Sequence, residues 1–400
     1  MITKQLIERM FDAASMQRWN DHVRPMDFSE LDKQAHKMII AWMLARLEES
    51  AGRPVNWTAL IEGGIAEFFS RVIMTDIKPA VFRQMMAEKG PELTAAIIKQ
   101  LGGDFSRLPS EFSVRFEKFL RVPDYARREK QILKAAHFLS TYWEFQIIGP
   151  MNSGMHGIEA TRREINEQIH DYDAIPAYKK ILHDKKLYGF LNLCGQLRFQ
   201  QRWAQTPRVP KTSVLGHMLV VALLSYLVSL EIGACPKRLY NNFFGALFHD
   251  LPEILTRDIV RSVKYSVTGL DAIIKEYELK QVNEKILPLI PPDWHKEIQY
   301  FVQDEFSNKI MTAENGKNPG SAVKIVKGIK PVWNRDEYKP YDGGIVEICD
   351  KLSAFIEASL SIEHGIRSAN LVAAKKKVYR QYKSIVLNGF NFGKLFLYFN

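Results

Sequence analysis

Two histidines and two aspartates interrupt apolar segments in the second half of the chain. His217 precedes a long apolar run, and Asp350 lies within another. The adjacent residues His249 and Asp250 follow a third run. A buried carboxylate is costly unless it is paired or bound to a metal. Two imidazoles and two carboxylates suit one borderline divalent cation, such as Mn, Co, Fe, Ni or Zn, so these residues predict a single metal centre.

A glutamate follows the His-Asp pair at helical spacing. Glu253 lies three residues after Asp250, so on a helix the two side chains share a face. Its carboxylate could orient or deprotonate an attacking water at the metal centre. Taken singly, each of these residues also has a structural interpretation, as a hydrogen-bonded core histidine or a salt-bridged aspartate. Their joint order and their apolar surroundings favour hydrolytic metal chemistry.

The hydrophobic pattern that must position these residues is mostly helical. Alternating strand patterns are scarce, and neither Asn315-Gly316 nor Asp342-Gly343 lies between two clear strand runs, which argues against hairpins. The expected class is therefore all-α. Apolar residues recur at spacings of three and four in Lys37–Glu48, Leu93–Leu101, Lys130–Phe145, Met218–Leu230, Asn241–Phe248, Leu270–Lys280 and Val346–Leu360.

Two polar segments read as connections between helices. Residues 148–154 form a cluster of glycine, proline, serine and asparagine, which predicts a turn. Residues 311–344 are long, polar and basic, which predicts an inserted loop. A loop of this length is either a lid or anion-binding element, or a solvated surface segment, and the sequence leaves both open.

Composition places the chain among soluble globular proteins. With 400 residues, of which 46% are hydrophobic and 25% charged, it is too long for one typical core and too apolar for disorder. Its three cysteines make no disulfide framework, which predicts a reducing, cytoplasmic location. The uncharged stretch 213–230 imitates a membrane helix, but its continuous apolar part, 219–230, is shorter than the roughly 20 residues of a bilayer span. We therefore expect a buried core helix and no membrane contact.

The basic charge is concentrated in the second half. Residues 1–185 hold 26 Lys and Arg against 25 Asp and Glu, whereas residues 186–400 hold 29 against 20. Such a field favours an anionic partner, whether a phosphorylated small molecule, nucleic acid or an acidic lipid. A soluble basic surface explains the same count, so the charge alone does not choose between these interpretations.

Short motifs of the first half return in the second half in the same order. The offsets are 184, 181, 182, 213 and 208 residues, so they jump by about 30 where the basic segment 311–344 is inserted. A tandem repeat of one helical domain explains this order and predicts two domains, residues 1–180 and residues 186–400. The matched positions begin at Gln17 and Gln201, His36 and His217, Thr75 and Arg257, Phe138 and Lys351, and His156 and His364.

The order His…His-Asp…Asp resembles the HD phosphohydrolase superfamily, and within it the bacterial 5′-deoxynucleotidases. Those proteins carry Arg-Trp fifteen residues before the first metal histidine, as Arg202-Trp203 precedes His217 here. Their motif His-Asp-x-x-Glu-x-Leu-Thr-x-Asp is matched by residues 249–258, and a following Val-Lys-Tyr by residues 263–265. Their last motif, Asp-x-Leu-x-Ala-(Tyr/Phe), is matched by residues 350–355. The resemblance spans about residues 190–385.

The resemblance implies a role for each matched residue. The ligands of one divalent ion would be His217, His249, Asp250 and Asp350. Glu253 would act on the attacking water or the leaving oxygen, Arg202 would hold the phosphate, and Trp203 would line the nucleotide pocket. Asp258 would accept a hydrogen bond from the sugar 3′-hydroxyl, and Lys264 is a further candidate near the phosphate. The implied activity is removal of phosphate from (deoxy)nucleoside 5′-monophosphates.

The first half resembles a degenerate copy of this site. Glu67 and Phe68 stand where the His-Asp pair is expected, and Arg71 stands where the glutamate is expected. His137 replaces the last aspartate, and His36 is the expected match to the first metal histidine. One glutamate and two histidines remain for a weak cation site. We expect this half to lack catalysis and to form a pseudo-dimer with the second half inside one chain, with a homo-oligomer as the alternative.

Two other functions fit the same residues. The basic insert, with Lys324, Lys327 and Lys330, favours a hydrolase of nucleoside triphosphates or oligonucleotides. The degenerate first half fits a non-catalytic module that binds nucleotides or nucleic acid. Salt-dependent nucleic-acid binding without turnover is the expected property of that module.

Overall fold

The computed structural model of the chain describes residues 1–257, 267–314 and 317–400, which fold into two compact units. The N-terminal unit comprises Arg9–Ser106 and Ser110–Phe199, and the C-terminal unit comprises Met1–Glu8, Arg107–Pro109 and Gln200–Asn400. All of helix Lys185–Gln196 but its first residue lies in the second domain predicted from the sequence, yet the helix belongs to the N-terminal unit.

Helices dominate the described parts of both units, which confirms the predicted helical class. The first half contains Lys4–Ser15, Glu30–Ser50, Trp57–Met74, Pro79–Phe105, Ser110–Arg121, Arg127–Met151, Ile158–Gln168, Pro176–His183 and Lys185–Gln196. The second half contains Val214–Glu231, Pro236–Phe248, Glu253–Thr256, Leu270–Gln281, Pro292–Val302, Gly343–Glu363, Ala369–Tyr382 and Gly393–Leu397. Shorter helical turns are Leu197–Phe199, Val282–Ile286, Leu287–Leu289, Pro331–Trp333 and Asp336–Tyr338.

Each helical segment predicted from apolar spacing lies inside one of these helices. The turn predicted at residues 148–154 begins later than expected, because helix Arg127–Met151 continues through Gly149 and Pro150. A proline interrupts a helix through its missing N–H and its ring, and near the last turn this interruption is tolerated. The connection therefore begins at Asn152, whose side-chain amide donates to the carbonyl of Ile148 at 2.9 Å.

Helix Val214–Glu231 runs through the core of the C-terminal unit. By length and composition it is the one helix in the described part of the chain that could cross a membrane. In the structure, 89% of its apolar window is buried. It packs against helices Pro236–Phe248 and Gly343–Glu363. The predicted buried core helix is confirmed, and the three helices that carry or precede the predicted metal ligands meet here.

The expectation of a long loop at residues 311–344 is wrong. Strands Asn308–Glu314 and Lys317–Ile325 pair antiparallel there, and Tyr341–Asp342 adds a third strand beside the first. Asn-Gly, the dipeptide between the two long strands, is a strong hairpin signal, although residues 315 and 316 themselves lie outside the described residues. Val323 and Ile325 of the second strand are 54% and 58% exposed, so these apolar residues do not mark a buried strand face.

The remaining strands are single pairs of residues that fix local turns. Gln17–Arg18 pairs antiparallel with Phe28–Ser29, and Val386–Leu387 pairs antiparallel with Phe390–Asn391. Among the described residues these ladders, the three-stranded sheet and an isolated antiparallel bridge between Gln201 and Ser213 are the β-structure of the chain. The helices, and not a sheet, therefore position the predicted site.

Candidate metal centre and phosphate site

His217 is placed by the start of the central helix of the C-terminal unit. Ser213 caps that helix, since its hydroxyl accepts a hydrogen bond from the backbone N–H of Gly216 at 3.0 Å. His217 follows in the first turn and is fully buried. Its Nδ1 lies 3.1 Å from Oγ of Ser353, and its Nε2 lies 3.0 Å from Oδ1 of Asp350. Both ring nitrogens are thus oriented by residues of helix Gly343–Glu363.

His249 and Asp250 come directly after helix Pro236–Phe248. Nδ1 of His249 lies 2.7 Å from the carbonyl oxygen of Ala246, which can only accept a hydrogen bond. Nδ1 therefore carries the proton, and in the neutral ring Nε2 keeps its lone pair. Nε2 lies 3.1 Å from Oδ2 of Asp250, and Nε2 of His217 lies 3.9 Å from the same oxygen.

A close approach of backbone and ring sets the position of this helix. A Cβ atom at Gly245 would clash with the ring of Tyr341, so a larger residue there would displace the helix end. Tyr341 is fully buried, and its hydroxyl donates to the carbonyl of Glu305 at 2.6 Å. The glycine therefore lets helix Pro236–Phe248 pack closely against strand Tyr341–Asp342, which leads directly into helix Gly343–Glu363.

The arrangement fits a divalent ion. Ligand atoms of His217, His249 and Asp350 all lie within 4.8 Å of one another, so one cation can be reached by all three. Nε2 of His249 is buried and no described group meets it in hydrogen-bond geometry, although Asp250 is close. Buried polar atoms are rarely left in this state, and a metal ion would use the lone pair. This group contains three of the four ligands expected from the sequence, and the fourth, Asp250, has its Oδ2 3.1 Å from Nε2 of His249.

The pKa values of His217 and His249 are shifted in opposite directions. Burial, reinforced by the nearby charge of Arg202, lowers the pKa of His217. Burial also opposes protonation of His249, but attraction to Asp250 and Asp350 raises its pKa above the ordinary value. Metal ligation requires neutral imidazole, so His249 is the histidine at which protons compete with a metal as the pH falls.

The two aspartates stay ionised in the neutral range. Burial opposes ionisation, but His249 and Arg202 hold the pKa of Asp250 well below its usual value. At Asp350 burial is likewise outweighed by Lys351 and His217, and the pKa is again lowered. The ammonium of Lys351 contacts Oδ2 of Asp350, which leaves Oδ1 facing the histidine.

Arg202 lies beside the centre. Its guanidinium nitrogens are 3.5 Å from Oδ2 of Asp250 and 3.7 Å from Oδ1 of Asp350. Trp203 is adjacent in the chain, and its indole N–H donates to Oε2 of the fully buried Glu357 at 2.8 Å. The structure thus brings Arg202 to the predicted metal ligands, while the polar end of Trp203 contacts a glutamate of the surrounding protein.

A cavity of about 190 Å³ adjoins the centre. Five carboxylates and one lysine line it, together with His249 and apolar side chains. Glu253 is the first residue of a short helix, Glu253–Thr256, and contributes one of these carboxylates while being 7% exposed. So much negative charge would repel an anionic substrate unless a bound cation offset it. The lining carboxylates belong to Asp250, Glu253, Glu278, Asp304 and Glu305.

Sequence reasoning missed three residues that hold the ligands in place. Ser353 and Glu357 face His217 and its neighbours, and Lys351 contacts Asp350. A signal for them existed, because the repeated motif at Phe138 and at Lys351 ends in a glutamate in both halves. Asp258 and Lys264, predicted to contact the sugar and the phosphate, lie outside the described residues, so their roles stay predictions.

Residues 194–379 match the sequence model of the HD domain family. The fold and this match define the second half of the chain as an HD domain, the domain of divalent-metal phosphohydrolases. A curated 5′-deoxynucleotidase of Pasteurella multocida (strain Pm70) is 20% identical to the chain over 187 residues, which are 45% of this chain and 77% of that protein. The second half of the chain is therefore related to the HD-domain phosphohydrolases and is similar to a 5′-deoxynucleotidase.

The two units share the backbone geometry that precedes their first long helix. Gln17 pairs antiparallel with Ser29 in the N-terminal unit, and Gln201 pairs antiparallel with Ser213 in the C-terminal unit. Each serine caps the helix by accepting a hydrogen bond from the backbone N–H three residues later. Gln201 and Ser213 each lie 184 residues after their counterparts, Gln17 and Ser29. This constant offset favours the predicted duplication, which stays a prediction.

A tryptophan and a glutamate also meet in the same way in both units. The indole N–H of Trp19 donates to Oε2 of Glu144 at 2.8 Å, as Trp203 donates to Glu357 at 2.8 Å. Both tryptophans have positive φ, 54° and 59° respectively, a backbone conformation that non-glycine residues rarely adopt. Both glutamates are fully buried. The frame around the two sites is therefore built from the same contacts.

Alignment of the two capping serines favours a match to His217 other than the expected His36. The capping serines set the register, and Lys33, the fourth residue after Ser29, corresponds to His217. His36 lies one helical turn further along, and its Nε2 lies 2.9 Å from the carbonyl oxygen of Leu191. Within the described residues, the group of side chains that could hold a metal ion lies in the C-terminal unit, so the weak cation site expected in the first half is not formed.

Proposed function

We propose that the C-terminal unit is a divalent-metal phosphomonoesterase that removes phosphate from (deoxy)nucleoside 5′-monophosphates. The observation that carries this proposal is the convergence of His217, His249 and Asp350 beside the guanidinium of Arg202. A metal-ligand set next to a cationic fork suits a phosphate group, because a guanidinium can donate two parallel hydrogen bonds to its oxygens. The relation to a 5′-deoxynucleotidase supports a nucleotide as the phosphate donor.

The side chains would divide the work as follows. The divalent ion would be held by His217, His249, Asp250 and Asp350. Such an ion lowers the pKa of water and neutralises charge on phosphoryl oxygens. Glu253 borders the adjacent cavity and would take a proton from the attacking water or return one to the leaving oxygen. Arg202 would stabilise the charge that develops on the phosphoryl group.

We propose the same division between the halves as the sequence indicates, with catalysis in the C-terminal unit and a non-catalytic copy in the N-terminal unit. The shared serine caps and tryptophan–glutamate contacts support this proposal. We also propose a cytoplasmic location, which the three free cysteines support. Fractionation of cells that produce the tagged chain would test the location.

The test is phosphate release from a panel of deoxy- and ribonucleoside mono- and triphosphates. Each reaction contains Mn, Co, Ni, Fe, Zn or Mg, and the panel is repeated with His249→Ala. The matched control is His170→Ala, because the ring of His170 is 76% exposed. We expect monophosphate turnover in the wild type and the control and none in His249→Ala.

Other outcomes would redirect the assignment. Release of tripolyphosphate from a triphosphate, with no turnover of monophosphates, would replace the proposed substrate with a nucleoside triphosphate. No turnover at all, with metal bound to the wild type and not to His249→Ala, would overturn the nucleotidase proposal. Salt-dependent binding of nucleic acid in that case would identify the non-catalytic alternative.

A further inference from the structure

The N-terminal unit holds a cluster of cations at the place that corresponds to the metal centre. Lys33, in the position of His217, is fully buried. Its ammonium lies 2.6 Å from Nε2 of His137. His137 precedes Glu144 by seven residues, as Asp350 precedes Glu357 by seven. A lysine and a histidine thus stand where the C-terminal unit has a histidine and an aspartate.

A second cation replaces the proposed acid–base residue. Thr75 and Arg257 both end a helix in a positive-φ conformation, at 61° and 66°. The backbone N–H of each donates to the carbonyl four residues earlier, at Arg71 and at Glu253. Arg71 therefore occupies the position of Glu253. A guanidinium cannot act as a general base at neutral pH, so the substitution removes that chemistry.

The carboxylates near Lys33 are already engaged by other cations. Glu144 accepts hydrogen bonds from Arg18 and Arg198, and Glu30 accepts one from Arg18 at 3.0 Å. Among the described residues, no carboxylate oxygen lies within 4.0 Å of the ammonium of Lys33. Within the described part of the chain, Glu30 and Glu144 are thus shared among Arg18, Arg198 and Arg71 and leave the ammonium of Lys33 without a paired carboxylate.

Arg71 is held only by long contacts. Its guanidinium is 3.8 Å from Glu30 and 3.6 Å from Asp76, and its Nε has no hydrogen-bond partner among the described residues. Burial, reinforced by Arg18, lowers the pKa of Lys33 well below the ordinary value, as expected for a buried ammonium without a counter-charge. His137 is exposed and Arg71 is 19% exposed, so the cluster has access to solvent.

We propose that Lys33, Arg71 and His137 form a second binding site, which takes a phosphate-type oxyanion without a metal and without hydrolysing it. An ammonium, a guanidinium fork and an imidazole are the donors that phosphate oxygens accept from. An oxyanion would supply the counter-charge that the buried ammonium lacks. Arg18 belongs to the frame of this site and not to its ligands, because Glu144 and Glu30 occupy its nitrogens. The site goes beyond the proposed phosphomonoesterase activity, since it lies entirely within the N-terminal unit.

The experiment is a calorimetric titration of the full chain in EDTA at neutral pH. Inorganic phosphate and a nucleoside 5′-monophosphate are titrated separately, which distinguishes a site for free phosphate from one that also requires the nucleoside. The protein carries Asp350→Asn, so that the metal centre cannot contribute and hydrolysis cannot consume the ligand. We expect binding of one oxyanion per chain at millimolar concentration or below, weakened about tenfold or more by Arg71→Gln and by Lys33→Met.

Thermal melts without phosphate would reveal whether the buried substitution Lys33→Met alters the fold. If it does, Arg71→Gln still tests the proposal, because Arg71 is partly exposed. No binding of either ligand in EDTA would overturn the proposal. Binding that survives Arg71→Gln and disappears in Arg202→Gln would also overturn it, because the anion would then sit in the C-terminal unit. Hydrolysis is assayed separately with metal on the wild type, so failure of one proposal leaves the other standing.

Discussion

The two halves of this chain surround their central sites with the same contacts and fill them with opposite charge. In the C-terminal unit, Nε2 of His217 lies 3.0 Å from a carboxylate oxygen of Asp350. In the N-terminal unit, the ammonium of Lys33 lies 2.6 Å from Nε2 of His137. The C-terminal site holds imidazoles and carboxylates that could bind a cation, whereas the N-terminal site contains a lysine and an arginine of its own.

The contacts that surround the two sites are the same, although the side chains inside the sites differ. Glu144 and Glu357 hold a tryptophan indole in both units, whether or not the neighbouring residues can bind a metal. A buried glutamate needs positive charge nearby, because an unpaired charge in a low-dielectric interior is strongly destabilising. In the N-terminal unit, Arg18 and Arg198 supply that charge to Glu144.

The largest difference in activity between matched variants of the two units is expected at Asp350 and at its counterpart His137. Asp350→Asn removes a negative ligand while keeping the size of the side chain, so metal binding and phosphate release should fall to background, by about 10³-fold or more. The corresponding change in the other unit, His137→Asn, should leave turnover unchanged. Phosphate release and metal content of both variants check this. Equal loss in both variants would break the assignment of catalysis to one unit.

Glu253→Gln is expected to lower kcat by about 10² to 10³-fold, because an amide cannot accept the proton of the attacking water. Metal content should stay at the wild-type level, since Glu253 is not among the proposed ligands. Steady-state kinetics and metal analysis of the same preparation separate the two effects. A variant with normal kcat would show that another group moves the proton.

Glu144→Gln is expected to destabilise the N-terminal unit by about 3 kcal/mol at neutral pH, because Arg198 is fully buried and would lose its carboxylate. Burial opposes ionisation of Glu144, but Arg18 and Arg198 lower its pKa to about 2 from an ordinary 4.5. A carboxyl with a lowered pKa stabilises the fold above its unfolded pKa, and this contribution is lost as the pH falls toward the folded value. The difference in free energy of unfolding between the wild type and Glu144→Gln should therefore become smaller as the pH falls from 4.5 to 2.

Urea unfolding at several pH values measures this gap. The control is Glu92→Gln, whose carboxylate is 63% exposed and pairs with Lys89 at the surface, so little change is expected. A pH-independent gap for Glu144→Gln would show that packing, and not charge, accounts for the loss.

The smallest effect is expected for Ser353→Ala. Its hydroxyl orients Nδ1 of the proposed ligand His217, and loss of such a contact costs about tenfold in metal affinity. Ser140→Ala is the matched change in the other unit, where Oγ lies 3.5 Å from Nδ1 of His36, and it should not alter metal affinity. Competition with a coloured chelator measures both. Unchanged affinity in Ser353→Ala would mean that packing alone orients the ring.

Much of the fold and of the proposed site was predictable because the decisive patterns are local in sequence. Apolar residues at spacings of three and four predicted helices that the structure contains. The spacing of Arg202-Trp203, His217, His249-Asp250 and Asp350 indicated the HD family, and the family match covers those residues. The strands of residues 308–325 were missed because the apolar residues Val323 and Ile325 are exposed and do not mark a buried strand face.

The sequence by itself determined the class of this protein, since ligand types and their order along the chain do not depend on how the helices pack. Only the tertiary structure decided which residue of the first half stands in the place of His217. Lys33 and His36 are three residues apart and lie on one face of the same helix, so a pattern of residue types cannot separate them. The serine cap and the contact with His137 distinguish Lys33 from His36, because they fix the position of each side chain along the helix axis.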